Sequence, residues 1–422
     1  MERRELARLL GAPAGLVAEP RRGATVLESG EAGRFMAELA AAAAQGGTVL
    51  LADPAWGEAE RSELAALQRM APADPATAEG RGWLCIPTGG SGGRLRFARH
   101  DEETIVAAVG GFGRHFGVER VNAVGTLPLH HVSGLMGWMR AAVTGGTFRP
   151  WAWKDLERGE LPTLPRGDWF LSVVPTQLQR LLEMARTVDW LHRFRAVLVG
   201  GGPAWAELLE KAAMVRLPVA PSYGLTETAA MVTALPPEEF LAGVRSSGWA
   251  LPHARIAVGD DGAIKIAGAS VFRGYFPEWR EAREFVTEDV GRVDAAGHLH
   301  VLGRRDAVII TGGEKVQPEE VEAVLRATGQ FRDVAVVGVP DPRWGQIVVG
   351  CYPADARPVL TLVEAAVSER LAGYKRPKRW VALASWPANA QGKVNRAEAA
   401  RLAERALHTG PDADALGISC CE

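Results

Sequence analysis

The stretch that decides the fold runs from Trp169 to Val199 and reads WFLSVVPTQLQRLLEMARTVDWLHRFRAVLV. Its first five residues are apolar except for Ser172 and predict a strand at Trp169–Val173, and the apolar run Ala196–Val199 predicts another. The residues between them, Thr176–Ala185, carry apolar side chains at helical spacing and predict a helix. Strands that alternate with helices are typical of an α/β fold with a largely parallel sheet.

The same alternation extends through the residues that precede this stretch. Helices are predicted at Phe35–Ala44, Thr104–Phe116 and Leu135–Val143, and strands at Thr48–Ala52 and Val121–Leu127. From Gly248 onward the pattern changes to short strands joined by Gly/Asp turns, which indicates a β-rich subdomain. These short strands are predicted at Ile256–Val258, Ala263–Ile266 and Leu299–Val301.

A compact module follows Gly303. It is predicted to contain a strand at Ala307–Ile310, a helix from Glu319, strands at Val334–Val339 and Ile347–Tyr352, and a helix at Thr361–Leu371. The predicted fold class is therefore α/β, with a large N-terminal domain (residues 1–305) of α/β sheets and a β-rich subdomain, and a small α+β C-terminal domain (residues 306–408). Residues 409–422 are expected to form a tail.

Composition excludes several classes of function. The chain has 422 residues, 47% of them hydrophobic and 23% charged, with a net charge of −2. Such a balance is ordinary for a globular protein and predicts no nucleic-acid partner. The best candidate for a membrane span, Val121–Met139, contains Pro128, His130 and His131, so we expect no membrane span. Four scattered cysteines and a charged N-terminus without an apolar run lead us to expect a cytoplasmic protein.

Two segments have the composition of a nucleotide site. Pro87–Arg96 reads PTGGSGGRLR, where glycines allow close backbone approach to phosphate, and hydroxyls and arginines add donors and charge. Ser222–Thr228 reads SYGLTET and offers an aromatic ring, a hydroxyl and a carboxylate that suits a hard cation. A flexible loop remains the alternative for the first segment, and a helix N-cap for the second.

Two further segments lie in the C-terminal third. Gly303–Glu322 contains a charged turn, a strand, a Gly-Gly loop and a helix that begins at Pro318. Pro387–Arg396 places Lys393 on a glycine-containing loop. Lysine occurs at only seven positions, so its use at Lys393 is informative.

Taken in order, the four segments resemble the ANL superfamily of adenylate-forming enzymes, which includes acyl-CoA synthetases, adenylation domains of peptide synthetases, and luciferases. The resemblance runs from about residue 83 to residue 400. It implies an enzyme that activates a small carboxylic acid with ATP and Mg²⁺ and passes the acyl group to coenzyme A. It also implies a mobile C-terminal domain.

The resemblance assigns a nucleotide site residue by residue. The expected contacts are Thr88, Gly89, Gly90, Ser91, Gly92, Gly93 and Arg96 at the phosphates, Gly200, Gly201, Gly202, Ser222, Tyr223 and Gly224 at the adenine, Asp289 and Arg304 at the ribose, Thr226 at the α-phosphate, and Glu227 at Mg²⁺. The family usually has Pro-Lys where this chain has Leu95 and Arg96, and Gly where it has Glu288. Arginine binds phosphate too, although its planar fork differs from an ammonium group.

The resemblance also implies roles in the C-terminal domain. Asp306 falls at the family's hinge, and Lys393 is expected to reach the α-phosphate and the carboxylate during adenylation. Gly313 and Trp344 are expected near coenzyme A. The basic run Tyr374–Arg379 is either a partner for the phosphates of coenzyme A or a solvated charged surface.

The acid pocket is expected near Pro128–His131, where the family has a Pro-Leu-x-His segment with His131 as the gating residue. A structural histidine is the alternative. The compact chain is most similar to the o-succinylbenzoate–CoA ligases of menaquinone or phylloquinone biosynthesis, whose acid carries a second carboxylate. Ser133, Arg140 and Ser222 are candidates to bind that group.

Three other functions stay open. The chain is also compatible with another aryl- or short acyl-CoA ligase, with an adenylation domain that loads a carrier protein, and with a nucleotide-binding protein without ligase activity. A homodimer is one option for its assembly.

Overall fold

The structure is a computed structural model and describes residues 1–12, 23–70, 82–88, 95–281, 283–388 and 394–409. The chain folds into two compact units. The first comprises Met1–Ala204 and Leu208–Val301, and the second comprises Leu302–Glu422 together with Trp205–Glu207. None of the helices in the described ranges is both long and apolar enough to cross a bilayer.

The helices of the described residues are α1 (Arg3–Leu9), α2 (Ala32–Gln45), α3 (Glu58–Arg69), α4 (Glu102–Phe116), α5 (Val132–Val143), α6 (Trp153–Glu157), α7 (Pro175–Leu181), α8 (Ala185–Leu191), α9 (Ala206–Met214), α10 (Pro237–Leu241), α11 (Pro318–Ala327), α12 (Leu360–Arg370) and α13 (Arg396–Thr409). Helix α4 shows how the sequence sets such bounds. The Asp101 carboxylate accepts a hydrogen bond from the Thr104 N–H at 2.9 Å, and Gly117 ends the helix with φ of 64°.

The described strands of the first unit form three sheets. They are β1 (Ala24–Leu27), β2 (Thr48–Leu51), β3 (Leu84–Thr88), β4 (Arg96–His100), β5 (Asn122–Gly125), β6 (Phe148–Pro150), β7 (Trp169–Val173), β8 (Ala196–Val199), β9 (Val219–Leu225), β10 (Ala230–Ala234), β11 (Trp249–Ala250), β12 (Ala254–Val258), β13 (Ala263–Gly268), β14 (Glu284–Val293) and β15 (Leu299–Arg304). One sheet has the order β1-β2-β3-β4, and another has the order β12-β13-β14-β15.

The largest sheet has the order β11-β10-β9-β8-β7-β5-β6. Strands β6, β5, β7, β8 and β9 are parallel, whereas β10 and β11 are antiparallel additions at one edge. The carboxyl ends of the parallel strands therefore share one edge of the sheet, and in α/β folds ligands bind at that edge. Phe112 and Phe116 of α4 pack with Phe170 of β7 to form a core against the sheet.

The second unit contains one sheet with the order β17-β16-β19-β18, and β20 pairs with β19. Its strands are β16 (Ile309–Thr311), β17 (Glu314–Val316), β18 (Ala335–Asp341), β19 (Gly345–Pro353) and β20 (Arg379–Leu383). Helices α11 and α12 contribute Val321, Leu325 and Val363 to its core. The unit is thus a small α+β module.

The α/β fold class is confirmed, and one predicted helix is wrong in extent. Thr176–Ala185 was expected to be continuous, but α7 ends at Leu181 and α8 begins at Ala185. The physical reason is Thr187, whose hydroxyl lies within hydrogen-bond reach of the Leu181 and Met184 carbonyls. The contact with Leu181 satisfies a carbonyl that a continuous helix would have bonded internally.

Candidate active site

The two predicted adenine segments lie on, or directly after, neighbouring parallel strands. Gly200 follows β8, and Ser222 lies in β9, where the register pairs Val199 with Pro221. A Cβ atom on Gly200 would lie 2.9 Å from the Ser222 Oγ, which donates a hydrogen bond to the Val199 carbonyl at 3.2 Å. Only glycine allows this approach, and the sheet therefore brings the two segments together.

A tyrosine and an aspartate from different sheets meet at this edge. The Tyr223 hydroxyl donates to Asp289 Oδ2 at 2.7 Å. Asp289 lies in β14 and is 7% exposed, and its N–H donates to the Thr287 hydroxyl at 3.0 Å. The predicted adenine and ribose residues are thus in direct contact across 66 positions of sequence.

The predicted α-phosphate residue lies in a short 3₁₀ turn, Thr226–Thr228, directly after β9. His100, at the end of β4, holds this turn through its Nε2, which donates to the Thr226 carbonyl at 2.7 Å. Burial lowers the pKa of His100 to about 4, so the ring is neutral at physiological pH. His100 therefore positions the turn as an uncharged donor.

The predicted Mg²⁺ ligand is a buried carboxylate. Glu227 is 8% exposed, and its Oε1 accepts a hydrogen bond from the Tyr275 hydroxyl at 2.7 Å. Burial, and then the negative charge of Glu227, raise the pKa of Tyr275 above its usual range, so the hydroxyl keeps its proton. The Arg96 guanidinium lies 4.7 Å from the centre of the Tyr275 ring.

Strand pairing delivers Tyr275 to this position. The segment that contains it runs antiparallel to β4, with a bridge between Ala98 and Tyr275 and a hydrogen bond of 2.9 Å from the Phe276 N–H to the Phe97 carbonyl. Tyr275 and His100 were both missed by sequence reasoning, because neither lies within the quoted motifs. The available signal was rarity, since the chain has only four tyrosines.

The predicted phosphate loop joins two antiparallel strands. Thr88 ends β3 and pairs with Arg96 of β4, and the Leu95 N–H donates to Glu63 of α3 at 2.7 Å. The Thr88 hydroxyl is buried and has no hydrogen-bond partner among the described residues. Gly89, Gly90, Ser91, Gly92 and Gly93 lie outside the described residues.

The predicted acid-pocket segment, Pro128–His131, forms a turn before α5. Gly134 allows this turn to close, because a Cβ atom there would lie 2.3 Å from the Pro128 carbonyl oxygen. The rings of His130 and His131 have their centres 4.5 Å apart. Asp53, two residues after β2, places Oδ2 at 3.5 Å from His130 Nε2.

Arg140 of α5 is a buried cation with no carboxylate partner among the described residues. It is 4% exposed, its guanidinium stacks 4.2 Å from the centre of the Phe112 ring, and its Nε has no partner among the described residues. Burial alone lowers the pKa of Arg140 to about 10, which leaves it charged at neutral pH. It lines a cavity next to α5, with Thr126, Ser133, Gly137 and Ser172 also in the wall.

The remaining predicted residues belong to the second unit. Arg304 donates from Nε and from a terminal nitrogen to the two carboxylate oxygens of Asp306, at 2.7 and 2.6 Å. The Trp344 ring packs on Gly312, where a Cβ atom would lie 2.8 Å from the indole, and Gly313 follows with φ of 87°. Lys393 lies outside the described residues.

The basic run contributes to the same surface of the second unit. The Lys378 Nζ lies 3.8 Å from the centre of the Trp344 ring, which is 37% exposed. An exposed indole flanked by an ammonium group is suited to an anionic, partly apolar ligand.

Known protein families match this chain over most of its length. Residues 19–276 match the model described as AMP-binding enzyme, and residues 320–393 match the model described as AMP-binding enzyme C-terminal domain. The chain belongs to the AMP-binding enzyme family. The predicted resemblance to adenylate-forming enzymes is thereby confirmed.

Individual relatives and solved structures agree with this membership. The 2-succinylbenzoate–CoA ligase of Listeria monocytogenes serotype 4b is 35% identical over 64% of this chain and 59% of its own length. The chain thus spans about three fifths of that relative. An Escherichia coli MenE variant with bound OSB-AMS is 25% identical and superposes with a TM-score of 0.74 over 96% of this chain and 91% of that chain.

A third comparison concerns the fold alone. The o-succinylbenzoate CoA synthetase MenE from Bacillus subtilis, in complex with the acyl-adenylate OSB-AMP, is 24% identical, with a TM-score of 0.73 over 93% of this chain and 90% of that chain. Its likeness confirms the arrangement of a large and a small domain that the sequence predicted.

Proposed function

We propose that the protein is an AMP-forming acid–thiol ligase that activates o-succinylbenzoate with ATP and transfers the acyl group to coenzyme A. Family membership and the names of the relatives support the reaction class. The single observation that carries the choice of acid is Arg140, whose buried guanidinium has no carboxylate partner in the described part of the chain. Such a group costs free energy unless a ligand supplies the anion.

The choice of Arg140 over the two other candidates follows from their contacts. Ser222 is engaged with the Val199 carbonyl. Ser133 lines the same cavity as Arg140 and can add a neutral donor. The nearby His253 adds no second positive charge, because burial, followed by the charge of Arg140, lowers the pKa of His253 to about 4. The second carboxylate of the acid would complete this pair.

The residues present fit ATP and Mg²⁺. Thr88 presents a buried hydroxyl whose partner is missing among the described residues, as expected for a phosphate contact. Glu227 uses one oxygen for Tyr275, which leaves Oε2 for a hard cation. When bound, Mg²⁺ would neutralise negative charge on the phosphates. We assign the adenine to Tyr223 with Gly200–Gly202, and the ribose to Asp289 with Arg304.

The chain's own residues act by position and charge. His100 and Tyr275 hold the Thr226–Thr228 turn and the Glu227 carboxylate in fixed places, so little reorganisation is needed when the carboxylate of the acid attacks the α-phosphorus. Pyrophosphate leaves, and the mixed anhydride is then open to a thiol. No nucleophile from the protein is needed, and His131 would shape the entrance for the acid.

We assign the second half-reaction to the small domain. Residues 306–408 would swing about Asp306, and Gly313, Trp344 and Lys378 would bind coenzyme A. Lys393 would serve only adenylation.

Lys393→Ala should therefore abolish acid-dependent exchange of pyrophosphate into ATP and largely spare thioester formation from supplied acyl-adenylate. Lys378→Ala is the matched control and should show the reverse. Equal loss of both half-reactions in Lys393→Ala would contradict two working conformations.

The deciding experiment is a ligase assay on a panel of acids that includes o-succinylbenzoate, benzoate and fatty acids. We expect the highest kcat/KM for o-succinylbenzoate. A preference for benzoate or a fatty acid would point to another acyl-CoA ligase, and transfer only to a phosphopantetheinyl protein would point to a carrier-loading domain. If no acid supported pyrophosphate exchange, the remaining interpretation would be a nucleotide-binding protein without ligase activity.

The location and assembly are part of the proposal. We place the enzyme in the cytoplasm, where its nucleotide and thioester substrates are found, and we propose a homodimer. Light scattering on the purified chain, with fractionation of cells that express it, tests both points.

A further inference from the structure

One side-chain cluster of the first unit contains two residues, Asp53 and His130, that have no part in the proposed reaction. Asp53, His130 and His131 each offer a ligand atom, and these atoms lie within 4.8 Å of one another. They come from two different segments, one after β2 and one between β5 and α5. His130 occupies the variable position of the Pro-Leu-x-His segment at Pro128–His131. The family pattern does not require a histidine there, so His130 is not part of the expected gate.

The charges of the cluster suit a cation. The Asp53 side chain is 14% exposed, and no lysine or arginine lies within 4.0 Å of it among the described residues. The His130 Nε2 that faces this carboxylate is buried and has no hydrogen-bond partner among the described residues. A partly buried carboxylate without a lysine or arginine partner is stabilised by a cation, and a divalent ion bound to it and to the imidazole nitrogens would provide that charge.

The geometry is already close to that of a metal site. Two ligand atoms about 2.1 Å from a tetrahedral Zn²⁺ lie roughly 3.4 Å apart, and Asp53 Oδ2 and His130 Nε2 are 3.5 Å apart. The remaining spacing, up to 4.8 Å, closes with rotation of one imidazole. The Asp53 carboxylate is oriented by a second contact. Its Oδ1 accepts a hydrogen bond from the Ala55 N–H at 2.9 Å, which leaves Oδ2 directed at His130.

We propose that Asp53, His130 and His131 form a binding site for a divalent transition-metal ion of the Zn²⁺ class, with water in the fourth position. Two imidazoles and one carboxylate favour zinc over magnesium, which prefers six oxygen ligands. The site is separate from the Mg²⁺ site assigned to Glu227. Because His131 is also the proposed gate of the acid pocket, bound Zn²⁺ holds that side chain and inhibits adenylation; this second part rests on the proposed function.

Metal binding is tested without any activity measurement. The full-length protein is stripped with a chelating resin and titrated with Zn²⁺ against a chromophoric competitor, and with Co²⁺ while its d–d absorption is followed. One equivalent per chain is expected. Asp53→Asn and His130→Phe should each weaken binding by about 10- to 100-fold or more and remove the Co²⁺ spectrum. His130→Phe keeps a ring against His131, so the fold is preserved.

The controls change the same residue types at exposed positions. Asp155→Asn and His192→Phe should bind Zn²⁺ as the unmodified chain does, and thermal unfolding verifies that every variant is folded. Equal binding by the site variants and the controls, or binding of no Zn²⁺ by the unmodified chain, overturns the site and leaves Asp53 and His130 as a simple polar contact.

Inhibition is measured by pyrophosphate exchange at fixed Mg²⁺ and ATP. Stoichiometric Zn²⁺ should reduce the rate in the unmodified chain about tenfold or more and should spare Asp53→Asn, whereas Zn²⁺ acting at ATP or Glu227 would inhibit both alike. Equal inhibition, or none, overturns the gating role. If no acid supports exchange, the proposed function fails, and the binding titration still decides the site.

Discussion

Two regions of the first unit differ in how their polar groups are paired. One is the region around Tyr223 and Glu227 that we assign to the nucleotide (the nucleotide half), and the other is the region around Arg140 that we assign to the acid (the acid half). In the nucleotide half, Tyr223 bonds Asp289, Tyr275 bonds Glu227, and His100 bonds the Thr226 carbonyl. In the acid half, Arg140 has no anion within reach among the described residues.

The difference predicts how the two proposed sites would recognise their ligands. Groups that already bond one another cost little to order when a common ligand arrives, so the proposed nucleotide site would be preorganised. A buried charge without a partner instead lowers the stability of the fold. Only a ligand with the complementary charge offsets that loss, and this requirement makes binding selective. Nucleotide binding should therefore tolerate small changes, whereas the choice of acid should depend on one residue.

The largest effect is expected for Arg140→Met. The loss of a charge-assisted contact to the second carboxylate should lower kcat/KM for o-succinylbenzoate about 100-fold. The unfolding free energy should rise by about 1 kcal/mol, because a buried unpaired charge is replaced by an apolar chain of similar length. Steady-state kinetics and urea unfolding measure the two quantities.

The exposed Arg158→Met is the matched control and should change neither quantity. A variant at Arg140 that loses both activity and stability would show that the guanidinium is structural. The contrast between the two halves would then fail.

The sequence supplied the segments of the nucleotide site but not the contacts that join them. Short-range pattern is enough to predict β8 and to single out the SYGLTET motif at residues 222–228, because the residues that form them are local. Tyr275 reaches Glu227 only because its segment pairs with β4, and that pairing is a tertiary event without a local signature. The Asp53–His130 contact is hidden in the same way.

The break between α7 and α8 illustrates a second limit. Apolar spacing is continuous from Thr176 to Ala185, but the Thr187 hydroxyl bonds carbonyls of the preceding turn and ends that periodicity. Arg140 shows the opposite case. Its residue type suggested an acid-binding role, yet only the fold shows that no described carboxylate accompanies it.

A smaller effect is expected for Tyr275→Phe, which tests preorganisation directly. The Glu227 carboxylate loses its buried donor, and the unfolding free energy should fall by about 1–2 kcal/mol. The KM for ATP at limiting Mg²⁺ should rise about tenfold, because the carboxylate is no longer held. Tyr352→Phe removes a hydroxyl from the second unit and should leave this KM unchanged. An unaltered KM in Tyr275→Phe would mean that the carboxylate is held by other groups.

The smallest effect is expected for Arg96→Lys. Arg96 is exposed, pairs with Thr88 across β3 and β4, and lies over the Tyr275 ring. A lysine keeps the positive charge at the phosphate loop and retains a cation–π contact with that ring. The KM for ATP should therefore stay within about threefold, a free-energy change of roughly 0.7 kcal/mol, whereas Arg96→Gln, which removes the charge, should raise it further. If lysine raised the KM for ATP as much as glutamine does, the guanidinium would have to make a bidentate phosphate contact that an ammonium group cannot reproduce. The nucleotide half would then depend on a single residue as strictly as the acid half does.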